Sequence, residues 1–254
     1  MDQLHRLKKL HRLTIRNLWW ASRDGLKNLR VLKIESRCTP TDINSFRHLL
    51  TNARELEELE FLTVSSDVHP NLPQGAVVDY PRLKTLTLCP RWLSCCQEDL
   101  AQVMTLPGLR TLRLVACQVA PLTARDCDCI ERFISQVAPA VETLHFNLCG
   151  ELFHSQILQC RAGISRLEFF DTEVSLETIN LLSKPVDVAS TASSRWLMPH
   201  LNTIYFDDCD LPPDMDKALA YLVEVRAEAT AYINAKLNAK LEVTRRGSLS
   251  YHGF

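Results

Sequence analysis

The feature that most constrains this chain is a recurring apolar pattern: an apolar residue, two others, a second apolar residue, one other, and a third. It stands at Leu10-Leu13-Ile15, Leu29-Leu32-Ile34, Leu56-Leu59-Phe61 and Leu83-Leu86-Leu88. It continues at Leu109-Leu112-Leu114, Val141-Leu144-Phe146, Ile164-Leu167-Phe169 and Leu201-Ile204-Phe206. The copies begin 19, 27, 27, 26, 32, 23 and 37 residues apart. An alternating apolar tail predicts a short strand with one buried face. One such unit cannot bury that face alone, so the period demands that units stack.

Between the strands, apolar residues fall at helical spacing. Phe46-Leu49-Leu50, Leu100-Val103-Met104, Cys129-Ile130-Phe133-Ile134-Val137 and Leu176-Ile179-Leu182 all do so. Pro81, Pro107, Pro139 and Pro199 each stand shortly before a strand and read as helix stops. The expected fold class is therefore α/β: a leucine-rich-repeat right-handed solenoid, a horseshoe with a parallel sheet on its concave face. About eight irregular units span residues 1–211. Residues 212–244 are expected to hold a C-terminal capping helix with Leu219, Leu222, Val223, Ala229, Ile233 and Leu237 on one stripe, then a short strand at Leu241 to Thr244. Residues 245–254 read as a flexible tail, and Pro185 to Arg195, rich in Ser, Thr and Ala, as a flexible loop.

The net charge is -1, which argues against a general polyanion binder. Residues 1–37 nevertheless carry ten basic and three acidic residues. Arg12, Arg16, Lys27, Arg30 and Lys33 cluster in the first two repeats, without the aromatic interleaving of a nucleic-acid module. Trp19 and Trp20 lie nearby, at a place where a further domain would pack. No apolar run is long enough for a membrane helix, and the charged N-terminus is no secretory signal. Ten cysteines without a signal peptide point to reduced thiols in a cytoplasmic or nuclear protein.

Three copies extend to a terminal cysteine, at Cys117, Cys149 and Cys209. With "LPGLRTLRLVAC" and "MPHLNTIYFDDCDLPP", the chain resembles the cysteine-containing leucine-rich repeats of F-box proteins, particularly the divergent fungal ones, over roughly residues 4–211. The resemblance implies that the terminal cysteine is a buried structural residue at the turn after the strand. It also implies substrate recognition for a cullin-type ubiquitin ligase. Elsewhere other residues stand at the cysteine position, Thr172 among them. The chain opens in mid-pattern and shows no F-box, so an adaptor-binding segment is expected upstream of Met1.

Catalytic and metal chemistry find little support. Cys127 and Cys129 are spaced C-x-C, and Cys95 and Cys96 are adjacent, but no second ligand pair of zinc-site spacing accompanies them. A Cys149–His145 or Cys149–His154 pair can be drawn, but His145 lies on the polar phase of its strand and is expected to face away from a buried Cys149. There is no nucleophile elbow, phosphate loop or dinucleotide fingerprint. No cofactor, metal or catalytic residue is expected.

What remains is the face built by the polar phase of the strands. Thr85, Thr111, Thr143 and Thr203 share one phase and suit strands on propensity alone. Arg113, His145, Arg166, Phe170 and Tyr205 are the candidate partner contacts, because arginine and aromatic residues are enriched in binding hot spots. Glu168 and Asp207 lie on the same phase. The expected function is protein binding on the concave face, with a repeat-type regulator of a small GTPase as the alternative and a site in the longer insertions as a third.

Overall fold

In the computed structural model, the described residues are 11–16, 27–36, 51–63, 78–90, 92–93, 104–116, 124–149, 163–186, 195–233 and 241–246. They fall into two compact units, divided after Val141.

The first unit is a stack of parallel strands: β1 (Arg12–Arg16), β2 (Val31–Ser36), β3 (Glu58–Thr63), β5 (Thr85–Leu88) and β7 (Thr111–Val115), hydrogen-bonded in that order. The register aligns the motif leucines from repeat to repeat, so Leu32, Leu59, Leu86 and Leu112 form one buried row. Ile34, Phe61, Leu88 and Leu114 form the next, and Trp92 packs edge-on against Phe61 at 5.2 Å. The repeats share a backbone step just before the strands. The carbonyls of His11, Arg30, Glu57 and Lys84 each accept two successive N–H groups from the following repeat.

Two expectations on this unit change. Met104, expected on a helical stripe, lies in a short strand, β6 (Met104–Thr105), paired in parallel with β4 (Val78–Asp79). A few apolar residues, here Leu100, Val103 and Met104, do not distinguish a helical turn from a buried strand, and pairing with Val78 decides for Met104. The prolines do more than stop helices. Pro107 and Pro139 sit second in turns closed by Leu109 N–H to Leu106 O and Val141 N–H to Ala138 O, where the fixed φ of proline is pre-set for the turn. Gly108 completes its turn so close to Pro81 that a Cβ would lie 1.9 Å from the Pro81 carbonyl oxygen. The helix at Cys129–Val137 forms as expected: α1 (Ala124–Arg132) runs on into a π-helical turn (Phe133–Val137), burying Ile130, Phe133, Ile134 and Val137.

The second unit has strands β8 (Thr143–Asn147), β9 (Arg166–Phe170), β12 (Thr203–Asp207) and β13 (Glu242–Arg246), all parallel. Phe146, Phe169 and Phe206 stack through its core, with centroids 5.3 and 5.4 Å apart. Helix α2 (Leu176–Leu182) starts at Ser175, whose hydroxyl accepts the Thr178 N–H at 3.2 Å. The expected loop at Pro185 to Arg195 is bounded by an antiparallel pair, β10 (Pro185–Val186) with β11 (Arg195–Trp196). Residues 187–194 lie outside the described residues.

The helix expected after the last repeat is α3 (Met215–Ile233). Its buried stripe is Met215, Leu219, Leu222 and Arg226; Val223, assigned to that stripe on sequence, is exposed. Arg226 is 2% exposed and donates to the carbonyls of Leu182, Leu197 and Met198, with its guanidinium 5.7 Å from the Trp196 ring centroid. Burial lowers its pKa to about 10, far enough above neutrality for the charge to remain. Leu182 is the last residue of α2, and a cation at that end meets the negative pole of the helix. After α3 the chain returns to the sheet as β13, which starts one residue later and ends two residues later than the strand expected at Leu241 to Thr244, and so takes in Arg245 and Arg246 from the expected tail. Arg245 stands in register with Phe206, on the core phase, and pairs with Asp216 of α3 at 2.5 Å. A charge at that position blunts the sheet edge.

Candidate functional site

On each strand of the second unit, residues alternate between the core and the opposite, outer face of the sheet. The register arranges the outer residues in rows: Thr143, Arg166, Thr203 and Glu242; then His145, Glu168, Tyr205 and Thr244; then Asn147, Phe170, Asp207 and Arg246. Four of the five candidate contacts, His145, Arg166, Phe170 and Tyr205, lie here on three neighbouring strands.

These four are organised by two carboxylates outside the selected set. Glu168 receives the Arg166 Nε–H at 2.5 Å and lies 3.2 Å from His145 Nδ1. The hydrogen bond from His145 holds the Glu168 carboxyl below the ordinary carboxylate range; partial burial opposes it and Arg166 adds to it. The His145 ring also stacks on Phe170, centroids 4.1 Å apart and 16° from parallel. Phe170 in turn meets Tyr205 at 5.4 Å and 44°. Tyr205 donates its hydroxyl to Asp207 at 3.0 Å. Burial and the Asp207 carboxylate raise the Tyr205 pKa, with Arg246 acting the other way, so the phenol stays protonated at neutral pH. The result is a platform of three linked aromatic rings whose polar atoms are fixed from both ends.

The carboxylates were legible as polar-phase residues. Their importance was not, because their partners come from adjacent repeats or from two positions along the same strand.

Arg113 lies in the first unit, on β7, in register with Thr87. Its Nε and the Thr87 hydroxyl are both buried without a hydrogen-bond partner. Arg16, Arg30 and Lys33, part of the basic cluster, face Glu35, Glu57 and Glu60 of the following repeats. That pairing neutralises much of the charge a polyanion would need.

Of the two described terminal cysteines, Cys149 is buried as the resemblance implies, whereas Cys209 is only half-buried. Cys149 is buried and its thiol points to Asn147 O at 3.5 Å; Cys209 lies 3.2 Å from Phe169 O. Burial pushes the Cys209 thiol pKa up, away from the nucleophilic thiolate. Thr172 takes the equivalent place and donates to the Cys149 carbonyl. The residue just before each of these three has positive φ: Leu148 at 54°, Asp171 at 46° and Asp208 at 52°. Cys127 and Cys129 are buried on α1; Cys95, Cys96, Cys117 and His154 lie outside the described residues.

No family model and no curated protein matches the chain. Among solved structures, a Bacteroides fragilis protein determined by structural genomics is similar, with a TM-score of 0.54 and 16% identity over 96% of this chain and 68% of that one. The likeness is one of fold. The chain is an α/β solenoid-like protein with parallel strands. No described helix is long and apolar enough to cross a membrane.

Proposed function

We propose that this protein is an interaction module that holds a protein partner on the outer sheet face of its second unit, as the substrate-recognition part of an F-box-type ubiquitin-ligase subunit. The observation that supports binding is the ring platform of His145, Phe170 and Tyr205, partly accessible and locked by Glu168 and Asp207. Fixed aromatic rings lose little conformational entropy when a partner covers them, which is why such residues anchor interfaces. The ligase role comes from the resemblance of the cysteine-tagged repeats.

The test is affinity capture of the natural full-length protein from its own cells, read by mass spectrometry, beside a Phe170→Ala/Tyr205→Ala variant. The reading expects a cullin and its adaptor with both proteins, and a further partner with the parent only. Recovery of a small GTPase without any cullin would overturn the ligase role. An unchanged partner list for the variant would overturn the assignment of the face.

A further inference from the structure

The C-terminal edge of the same sheet carries a charge pattern that the platform does not explain. Immediately after β9 come Asp171 and Glu173, and immediately after β12 come Asp208 and Asp210; all four side chains are exposed. The backbone fixes them in matched pairs. Asp171 N–H bonds Asp207 O, Val174 N–H bonds Asp210 O, and Glu173 bridges Asp210 in parallel. Equivalent positions on adjacent strands are about 4.8 Å apart, and like charges so placed oppose folding.

Three strand carboxylates are matched by cations: Glu35 by Arg16, Glu60 by Lys33 and Glu168 by Arg166. None of the four edge carboxylates has an ion-pair partner among the described residues. Beside them, Leu148 follows β8 with 53% of its surface exposed in a left-handed backbone conformation that leucine rarely adopts. An acidic rim, an exposed leucine and the Phe170–Tyr205 rings thus share one edge. Among the strands of the second unit, which end on Asn147, Phe170, Asp207 and Arg246, Arg246 is the one cation at a C-terminal strand end.

From this complementarity we infer that the partner presents a basic, extended segment. Its Lys or Arg side chains would cross the Asp171–Asp208 and Glu173–Asp210 pairs, and its apolar residues would lie on Leu148 and Phe170. This inference rests on the proposed binding face and adds the chemistry of what binds there. Opposite charge across an interface sets the encounter rate and selects the partner, and the effect fades with salt. Bringing a cation to each pair also relieves the like-charge repulsion that the folded chain carries alone.

The test uses the full chain and two fluorescein-labelled twelve-residue peptides, one alternating Lys with Phe and the other alternating Glu with Phe, followed by anisotropy at 50 and 300 mM NaCl. The expected result is saturable binding of the Lys peptide only, weaker at high salt. The Asp171→Asn/Asp208→Asn variant should bind it about tenfold more weakly, because asparagine tolerates positive φ and keeps the turns. Asp128→Asn, on the exposed side of α1, should bind as the parent does. Equal binding of both peptides, binding unchanged in the double variant, or no binding of the Lys peptide would overturn the inference. If the double variant still captures the parent's cellular partner in full, the basic-segment inference fails and the interaction module stands. If the parent captures no partner at all, both fail.

Discussion

The His145 ring lies flat on Phe170, with centroids 4.1 Å apart, while its Nδ1 stays within 3.2 Å of Glu168. One histidine thus links the aromatic platform to the charged row of the outer face. The consequence is acid sensitivity through Glu168. Its carboxyl is held below its ordinary pKa in the folded state, so the stabilisation it confers is complete above the unfolded value of about 4.3. That stabilisation is lost as pH falls through the folded value. Chemical denaturation from pH 7 down to pH 3 should show this acid-side loss in the parent and a smaller one in Glu168→Gln. At pH 7 the variant should be about 1 kcal/mol less stable. Parallel stability curves for the two proteins across that range would refute the linkage.

Arg226 should be intolerant of change. Replacing it with Met keeps much of the volume but strands the carbonyls of Leu182, Leu197 and Met198 inside the protein. Arg226→Met is expected to cost about 2–4 kcal/mol, and Arg226→Lys nearly as much, because one ammonium lacks the planar fork that reaches three carbonyls. Urea titration followed by circular dichroism measures both. A loss under 1 kcal/mol for the Met variant would show that the clamp is dispensable.

Two glycines give opposite expectations. Gly108→Ala drives a methyl into the Pro81 carbonyl and should lower stability by about 2 kcal/mol or more. Gly163→Ala meets nothing within 4 Å and should be neutral or raise stability by about 0.5 kcal/mol, by restricting the unfolded chain. Thermal melts of the pair give the comparison, and a reversed order would contradict the turn geometry at Pro81.

Leu148 stores strain at the surface. Leu148→Asn relieves a left-handed leucine and removes exposed apolar area, and should stabilise the protein by about 0.5–1 kcal/mol. The same change should weaken partner binding if leucine is kept there for contact. A melting temperature that falls with Asn, read by differential scanning calorimetry, would show that the side chain is needed for packing instead.

Much of the architecture was open to reading because it is periodic. The motif positions of β2, β3, β5, β7, β8, β9 and β12 are buried or intermediate as the alternation requires, and the register then follows from stacking like on like. β13 is expected from sequence as a short strand at Leu241 to Thr244 but not as a further repeat, because Arg245 occupies the position held by Phe206 in the preceding repeat, and an edge strand can answer a core-phase charge from a neighbouring helix, here with Asp216. Met104 was misplaced for a related reason: a short buried strand and a helical turn present the same apolar residues, and only the partner at Val78 separates them.

At the candidate site, the sequence alone put His145, Phe170 and Tyr205 on one phase of three strands, and with them Glu168 and Asp207. That much follows from a side-chain period of two. Tertiary structure decided which of them touch, because the register of one repeat against the next sets distances of 3–5 Å that no spacing along the chain encodes. It decided Arg226 as well: a charged residue on a helix reads as solvated until neighbouring segments bring three carbonyls to it. Periodicity is a local property and was determined by the sequence; pairing and the burial of a charge depend on groups distant in the chain, and only the folded repeats could fix them.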